Sequence, residues 1–154
     1  PEKLIIACEI YVDGNIYLCD QLIKKQITNV KIFNQNILIL IENKNLKFLL
    51  DEIWILFPDP WFKKRHYKRR LINNIFFNKI NSKLSSNGKI FIVTDSIPYF
   101  ISILYFVHKS RLFKWVNNKP QEWQCSNHNI VKTKFHKKAL NCNIKSMIII
   151  LAKI

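Results

Sequence analysis

The 154-residue chain carries 25 lysines and arginines against 10 aspartates and glutamates, a formal net charge of +15. Its length fits one domain with a sizeable core, and so large a positive excess is usually kept for a polyanionic partner. Lysine is abundant throughout, which accounts for part of the charge but not for its clustering. Cys8, Cys19, Cys125 and Cys142 show no Cys-x-x-Cys pair and no Cys/His spacing suited to zinc. They are expected as free, buried thiols in a reducing cytoplasm. No charged-then-apolar leader addresses the chain to secretion.

In chain order, Leu4–Cys8 reads as a strand ending at Glu9. Because it follows Pro1 almost at once, the start resembles a domain interior, and an N-terminal portion is expected upstream. Val12–Lys25 suits a helix and Val30–Phe33 a second strand. Ile37–Leu50 is assigned to a helix, with a hidden strand as the alternative. Glu52–Phe57 is a third strand, stopped by Pro58-Asp59-Pro60 because proline cannot continue a ladder. Lys68–Leu84 is expected as a helix ending near Gly88, and Lys89–Val93 as a fourth strand. Pro98–Lys109 opens as helices with an early proline often do, and Phe113–Val116 with Ser146–Ala152 form a closing strand pair. Ile90–Val107 is apolar enough to raise a membrane span, but the central Asp95 costs ~2.5–3.5 kcal/mol there. Strand, turn and helix fit that stretch better.

Alternating short apolar runs and amphipathic stretches predict a parallel sheet covered by helices. In such folds ligands sit beyond the carboxyl ends of the strands. The residues expected there are Glu9, Asn36, Asp59 and Asp95, three of them carboxylates. The richest segment is Phe57 to Arg70. Two prolines hold Asp59 in a rigid turn. Lys63, Lys64, Arg65, Lys68, Arg69 and Arg70 follow within eight positions, a cluster able to dominate nucleic-acid affinity. Trp61, His66 and Tyr67 are interleaved and suited to stacking on an unpaired base. Arg69 is the member expected to be structural.

Phe57-Pro58-Asp59-Pro60-Trp61, followed by Lys63-Lys64-Arg65-His66 and Lys68-Arg69-Arg70, resembles the signature of the bacterial tRNA (guanine-N(7)-)-methyltransferases. Thr94-Asp95 with Tyr99, and Thr133-Lys134-Phe135, match later motifs of that family in order. The resemblance spans essentially the whole chain. It implies one α/β domain over residues 1–154, a Rossmann-like S-adenosylmethionine-dependent methyltransferase sheet. It also implies methyl transfer to nitrogen 7 of guanosine 46 in the tRNA variable loop. Metal, covalent nucleophile and membrane have no part in that chemistry.

By the same resemblance Asp59 is catalytic and also cofactor-binding. Glu9 accepts the cofactor ribose hydroxyls, and Asn36 lies beside the adenine in place of the family's aspartate. Lys63, Arg65, Asp95, Thr133, Lys134 and His136 fall at tRNA- and substrate-binding positions, His136 replacing a glutamate. The family also carries a glycine-rich loop after its first strand. With Gly14 and Gly88 alone available, that strand and loop are expected to be missing from this sequence. Two other readings stay open: a catalytically inactive RNA-binding module, and a partner subunit derived from the same fold.

Overall fold

The computed structural model describes residues 3–43, 47–128 and 133–154. They form two compact units, Pro1–Lys47 and Phe48–Ile154.

In the first unit the strand β1 (Ile5–Cys8) pairs in parallel with β2 (Val30–Phe33), joined by the helix α1 (Val12–Lys24). A second helix, α2 (Ile37–Glu42), follows β2. It is far shorter than the helix expected to Leu50. Asn43 already takes an extended conformation, and Leu50 belongs to the next strand. Buried Asn15 ties the two strand exits together, its amide donating to the Glu9 carbonyl at 2.8 Å and to Asn34 Oδ1 at 2.9 Å.

The second unit is built on four strands, β3 (Leu50–Leu56), β4 (Leu84–Thr94), β5 (Phe113–Trp115) and β6 (Met147–Lys153). Their order is β3-β4-β6-β5; β3 and β4 are parallel, whereas β6 runs antiparallel to both its neighbours. The sheet is therefore mixed, not wholly parallel, and the expected closing pair β5–β6 is present. Two helices, α3 (Asn74–Lys83) and α4 (Ile97–Ser110), precede and follow β4. Alternation along the central strands sorts side chains onto two faces. Ile90 and Ile92, opposite Leu151 and Ile149, join Phe76, Phe77, Ile80, Phe100 and Ile103 in the buried core. Phe91 and Val93 point the other way, and Val93 clusters with Cys125 and Ile148 against Phe57 and Ile150.

Three departures from the expected elements have local causes. The run predicted as one helix from Lys68 breaks into a 3₁₀ helix, Lys64–Arg69, and α3. Asn73 caps α3 by accepting from Phe76 N at 3.0 Å, so the helix starts there and not in the basic run. At its other end Lys153 Nζ donates to the Asn81 and Leu84 carbonyls, both at 2.8 Å, closing orphan acceptors of the last turn. Leu84 is then the first residue of β4, and the stretch before Lys89 bulges out of the pairing with β3. Gly88 lies in that bulge, where any Cβ would collide with the side chain of Leu84. A fifth helix, α5 (Lys134–Asn141), was not expected; Thr133 caps it, accepting from His136 N at 3.2 Å.

The apolar stretch from Ile90 resolves as strand, turn and helix, and no helix among the described residues is long and apolar enough to cross a membrane. All four cysteines are free, but the expectation that they are buried holds for Cys125 alone. Cys8 is half-buried and Cys19 and Cys142 are exposed, because their positions on α1 and after α5 face outward. Burial pushes the Cys125 thiol up to about 11.

Candidate active site and basic face

The Asp59 turn begins where β3 ends. Phe57 N donates to Val93 O at 2.8 Å, extending the pairing with β4 by one residue before the prolines end it. Phe57 and Trp61 both adopt left-handed backbone, φ 51° and 44°. A non-glycine residue in that region costs roughly 1–2 kcal/mol. The chain thus reverses at two strained points and presents Asp59 between them, exposed to solvent. Such strain clusters where the surrounding structure has a use for the geometry.

Parallel pairing of β3 with β4 brings Asp95, directly after Thr94, to the same sheet end as this turn. Asp95 is half-buried, and among the described residues no hydrogen bond reaches its carboxylate. The start of α5 reaches the base of the turn as well. Phe57 lies 6.0 Å from the Phe135 ring and 6.2 Å from the His136 ring, centroid to centroid. Lys134 is exposed, Thr133 is half-buried with its hydroxyl oxygen committed to the helix cap, and His136 is 95% buried against Phe57. The second unit therefore gathers Asp59, Asp95, Thr133, Lys134 and His136 around one sheet end.

Beyond the turn the basic run winds into its 3₁₀ helix. Lys63, Lys64, Arg65, Lys68 and Arg69 are exposed, and among the described residues none pairs with a carboxylate. Trp61 is half-buried, with the His66 ring edge-on at 5.7 Å and Arg69 Cζ 5.0 Å from its centroid. The residue that turns inward is Arg70, 5% exposed, not Arg69 as expected from the sequence. Its Nε donates to the Pro60 carbonyl at 2.7 Å, and its Cζ sits 3.6 Å from the Tyr67 ring centroid and 4.8 Å from that of Tyr99. The fold wants a buried donor here because the turn's carbonyl has no amide to pair with. Burial raises the Tyr99 hydroxyl pKa and the Asp59 carboxylate adds to the rise; the Ile72 N–H and the Arg70 charge oppose it.

In the first unit Glu9 follows β1 and is exposed; its Oε1 accepts from Tyr11 N at 2.9 Å, and among the described residues its other oxygen takes no bond. Asn36 stands at the start of α2, its Oδ1 accepting from Leu38 N at 2.9 Å. Its oxygen is thus engaged as a helix cap, with the amide N–H₂ available. Sequence reasoning missed Asn15 as the strap between the two strand exits, and misread Arg70. A polar residue in the first turn of a helix, and a cation followed directly by Leu71-Ile72, were the signals on offer.

The profile of a protein family described as "Putative methyltransferase" matches residues 1–147. A tRNA (guanine-N(7)-)-methyltransferase of Buchnera aphidicola subsp. Schizaphis graminum is 36% identical over 140 residues, 90% of this chain and 58% of that protein. The chain belongs to the tRNA (guanine-N(7)-)-methyltransferase family. A "Bifunctional methyltransferase" of Rickettsia prowazekii is 32% identical over 151 residues, 98% of this chain and 29% of the relative. The chain thus spans between about a third and three fifths of the methyltransferases it matches here. Among solved structures, a methyltransferase from Streptococcus mutans in complex with SAH superposes with a TM-score of 0.61, at 14% identity, covering 98% of this chain and 76% of that one. That likeness shows the Rossmann-like methyltransferase fold.

Proposed function

We propose that this chain is the catalytic domain of an enzyme that methylates nitrogen 7 of a guanine in tRNA, at position 46 of the variable loop, with S-adenosylmethionine as donor. The observation that carries the reading is the Asp59 turn: a carboxylate presented between two left-handed residues, with five exposed cations following it, in a member of this family.

The residues present fit the ribose and adenine ends of the cofactor, while the glycine-rich loop expected at its methionine end has no counterpart in a sequence with Gly14 and Gly88 alone. S-adenosylmethionine, when bound, supplies an electrophilic methyl group on a sulfonium centre. Glu9, exposed and with one carboxylate oxygen held by Tyr11 N, offers the other to a ribose diol. Asn36 offers an amide N–H to a ring nitrogen of the adenine, or the remaining lone pair of its oxygen to the exocyclic amine.

Nitrogen 7 of guanine carries a free lone pair at neutral pH, so no residue is required to remove a proton from it. What the chain must provide is alignment and a negative charge where the purine becomes cationic. Asp59 suits both, held at a strand tip by a turn with little freedom left to lose. Asp95, Thr133 and Lys134, at the same sheet end, would orient the base, with buried His136 packed behind them against Phe57. Thr133 keeps a hydroxyl proton to donate, and Asp95 an unpaired carboxylate to accept from the guanine amino edge. Lys63 and Arg65 would hold the tRNA backbone from the exposed basic helix.

The test is Asp59→Ala in the full-length protein, followed by methyl incorporation into tRNA and by tRNA binding. Turnover should fall by about 10²–10³-fold, the cost of losing one preorganised charge, with tRNA affinity kept within a few-fold. Wild-type turnover would remove Asp59 from the mechanism. A tRNA lacking guanosine 46 should go unmodified, and its normal methylation would refute the choice of position.

A further inference from the structure

We infer that Arg70 is a positioning residue for the Asp59 turn and not one of the chain's phosphate ligands. The inference rests on the reading of Asp59 as the reacting carboxylate's position, and extends it to the element that holds it there.

The turn cannot hold itself. Pro58 and Pro60 have no N–H, so neither can donate across the reversal. The left-handed residues at each end favour relaxation to ordinary backbone unless contacts forbid it. At the entry, the bond from Phe57 N to Val93 O supplies such a contact. At the exit, the Pro60 carbonyl is held by Arg70 Nε at 2.7 Å.

The guanidinium is itself fixed. It lies between the rings of Tyr67 and Tyr99, and the Tyr99 hydroxyl accepts from Ile72 N at 3.1 Å, fastening that ring to the residues before α3. A planar, delocalised cation can stack on two rings while its Nε points sideways to a carbonyl; a lysine ammonium cannot. Its burial rules out the exposed role its neighbours fill, since a phosphate ligand needs its donors at the surface. Nη2 is buried with no hydrogen-bond partner, an unfavourable arrangement. An arginine retained at that cost is retained for what its Nε and its plane hold.

The experiment compares Arg70→Lys, Tyr67→Leu, Tyr67→Phe and Asp59→Ala in the full-length protein, each checked for fold by circular dichroism and thermal unfolding. Single-turnover methylation gives the rate, and tRNA titration across salt gives the affinity and its slope. Arg70→Lys should lower the rate by about 100-fold, the order expected of a 1 Å misplacement, with tRNA affinity within threefold and an unchanged salt slope. Tyr67→Leu, which strips one ring face at a half-exposed position, should lower it by roughly 5- to 10-fold, and Tyr67→Phe should restore the wild-type rate. A slope lower by about 0.7–0.9 in Arg70→Met, a further variant that removes the charge Arg70→Lys keeps, would make Arg70 a phosphate ligand and overturn the inference. So would an unchanged rate in Arg70→Lys. Should Arg70→Lys fail to fold, Tyr67→Leu decides, and a wild-type rate there overturns it too. If Asp59→Ala methylates normally, the functional reading fails. If Asp59→Ala is inactive while Arg70→Lys is fully active, the positioning role alone fails.

Discussion

Replacing Lys63, Lys64 and Lys68 together by glutamine tests whether the basic helix is a nucleic-acid face. The six cations counted in the sequence become five at the surface, because Arg70 is buried. If each of the five meets one phosphate, the logarithm of tRNA affinity should fall with the logarithm of salt at a slope of about 3.5–4.5, at ~0.7–0.9 per contact. Raising salt from about 50 to 200 mM should then weaken binding by roughly 130- to 500-fold. The triple variant keeps Arg65 and Arg69, so its slope should drop to about 1.4–1.8 and the same salt step should cost only about 7- to 12-fold. Anisotropy of end-labelled tRNA over a salt series measures both numbers directly. The three lysines are exposed and make no ion pair among the described residues, so their loss should leave the melting temperature nearly unchanged. An unchanged slope in the triple variant would refute the reasoning, since the charge would then be a solvated surface with no bearing on RNA.

Two further predictions concern the frame behind the site. Asn117 is buried and accepts from Trp115 Nε1 and Ile150 N while donating to the Glu122 and Ile148 carbonyls, at 2.7–3.1 Å. Asn117→Ala removes all four bonds, although the Glu122 carbonyl keeps His128 Nε2 at 2.7 Å, and should cost about 3–4 kcal/mol in urea unfolding, at ~1 kcal/mol per lost bond; a loss below about 1 kcal/mol would mean water replaces the side chain. Cys125 gives a pH dependence of known sign. Its thiol pKa rises from 9.0 to about 11 on folding, so the unfolded chain ionises first and stability falls as pH climbs between those values. Cys125→Ala should lose that part of the decline, and identical pH slopes for the two proteins would contradict it.

The strands were legible wherever apolar residues alternate or run together. Val30–Phe33 stands where periodicity puts it, and Ser96 with Pro98 marks the start of α4. Legibility failed where polar side chains, not periodicity, set the boundary. Nothing in Lys64–Arg69 distinguishes a 3₁₀ turn from the first turn of a long helix until Asn73 is seen to cap α3. Short α5 carries too few apolar positions to stand out, although Thr133 marks its start. Within the site, residue types at the strand ends were readable, because carboxylates rarely follow apolar runs by accident. Which arginine turns inward was not. Arg69 and Arg70 differ by one position, and the choice depends on two tyrosine rings and a proline carbonyl brought together from Tyr67, Tyr99 and Pro60. That convergence is tertiary, and no local pattern encodes it.

The place of β6 in the sheet bears on how this protein comes to exist on the ribosome. It is the last strand in order, yet it lies between β4 and β5 and bonds to both. Until Met147–Lys153 has emerged, β5 has no ladder partner and the outer side of β4 is unpaired. Val93, whose carbonyl anchors the entry to the Asp59 turn, lies on that unfinished strand opposite Ile148. Until then the nascent chain holds an incomplete, sticky sheet, and the strand that anchors the turn keeps one open edge. A stalled or clipped product ending before Met147 would leave β4 and β5 without the strand that joins them, making it a substrate for proteases and not a slower enzyme.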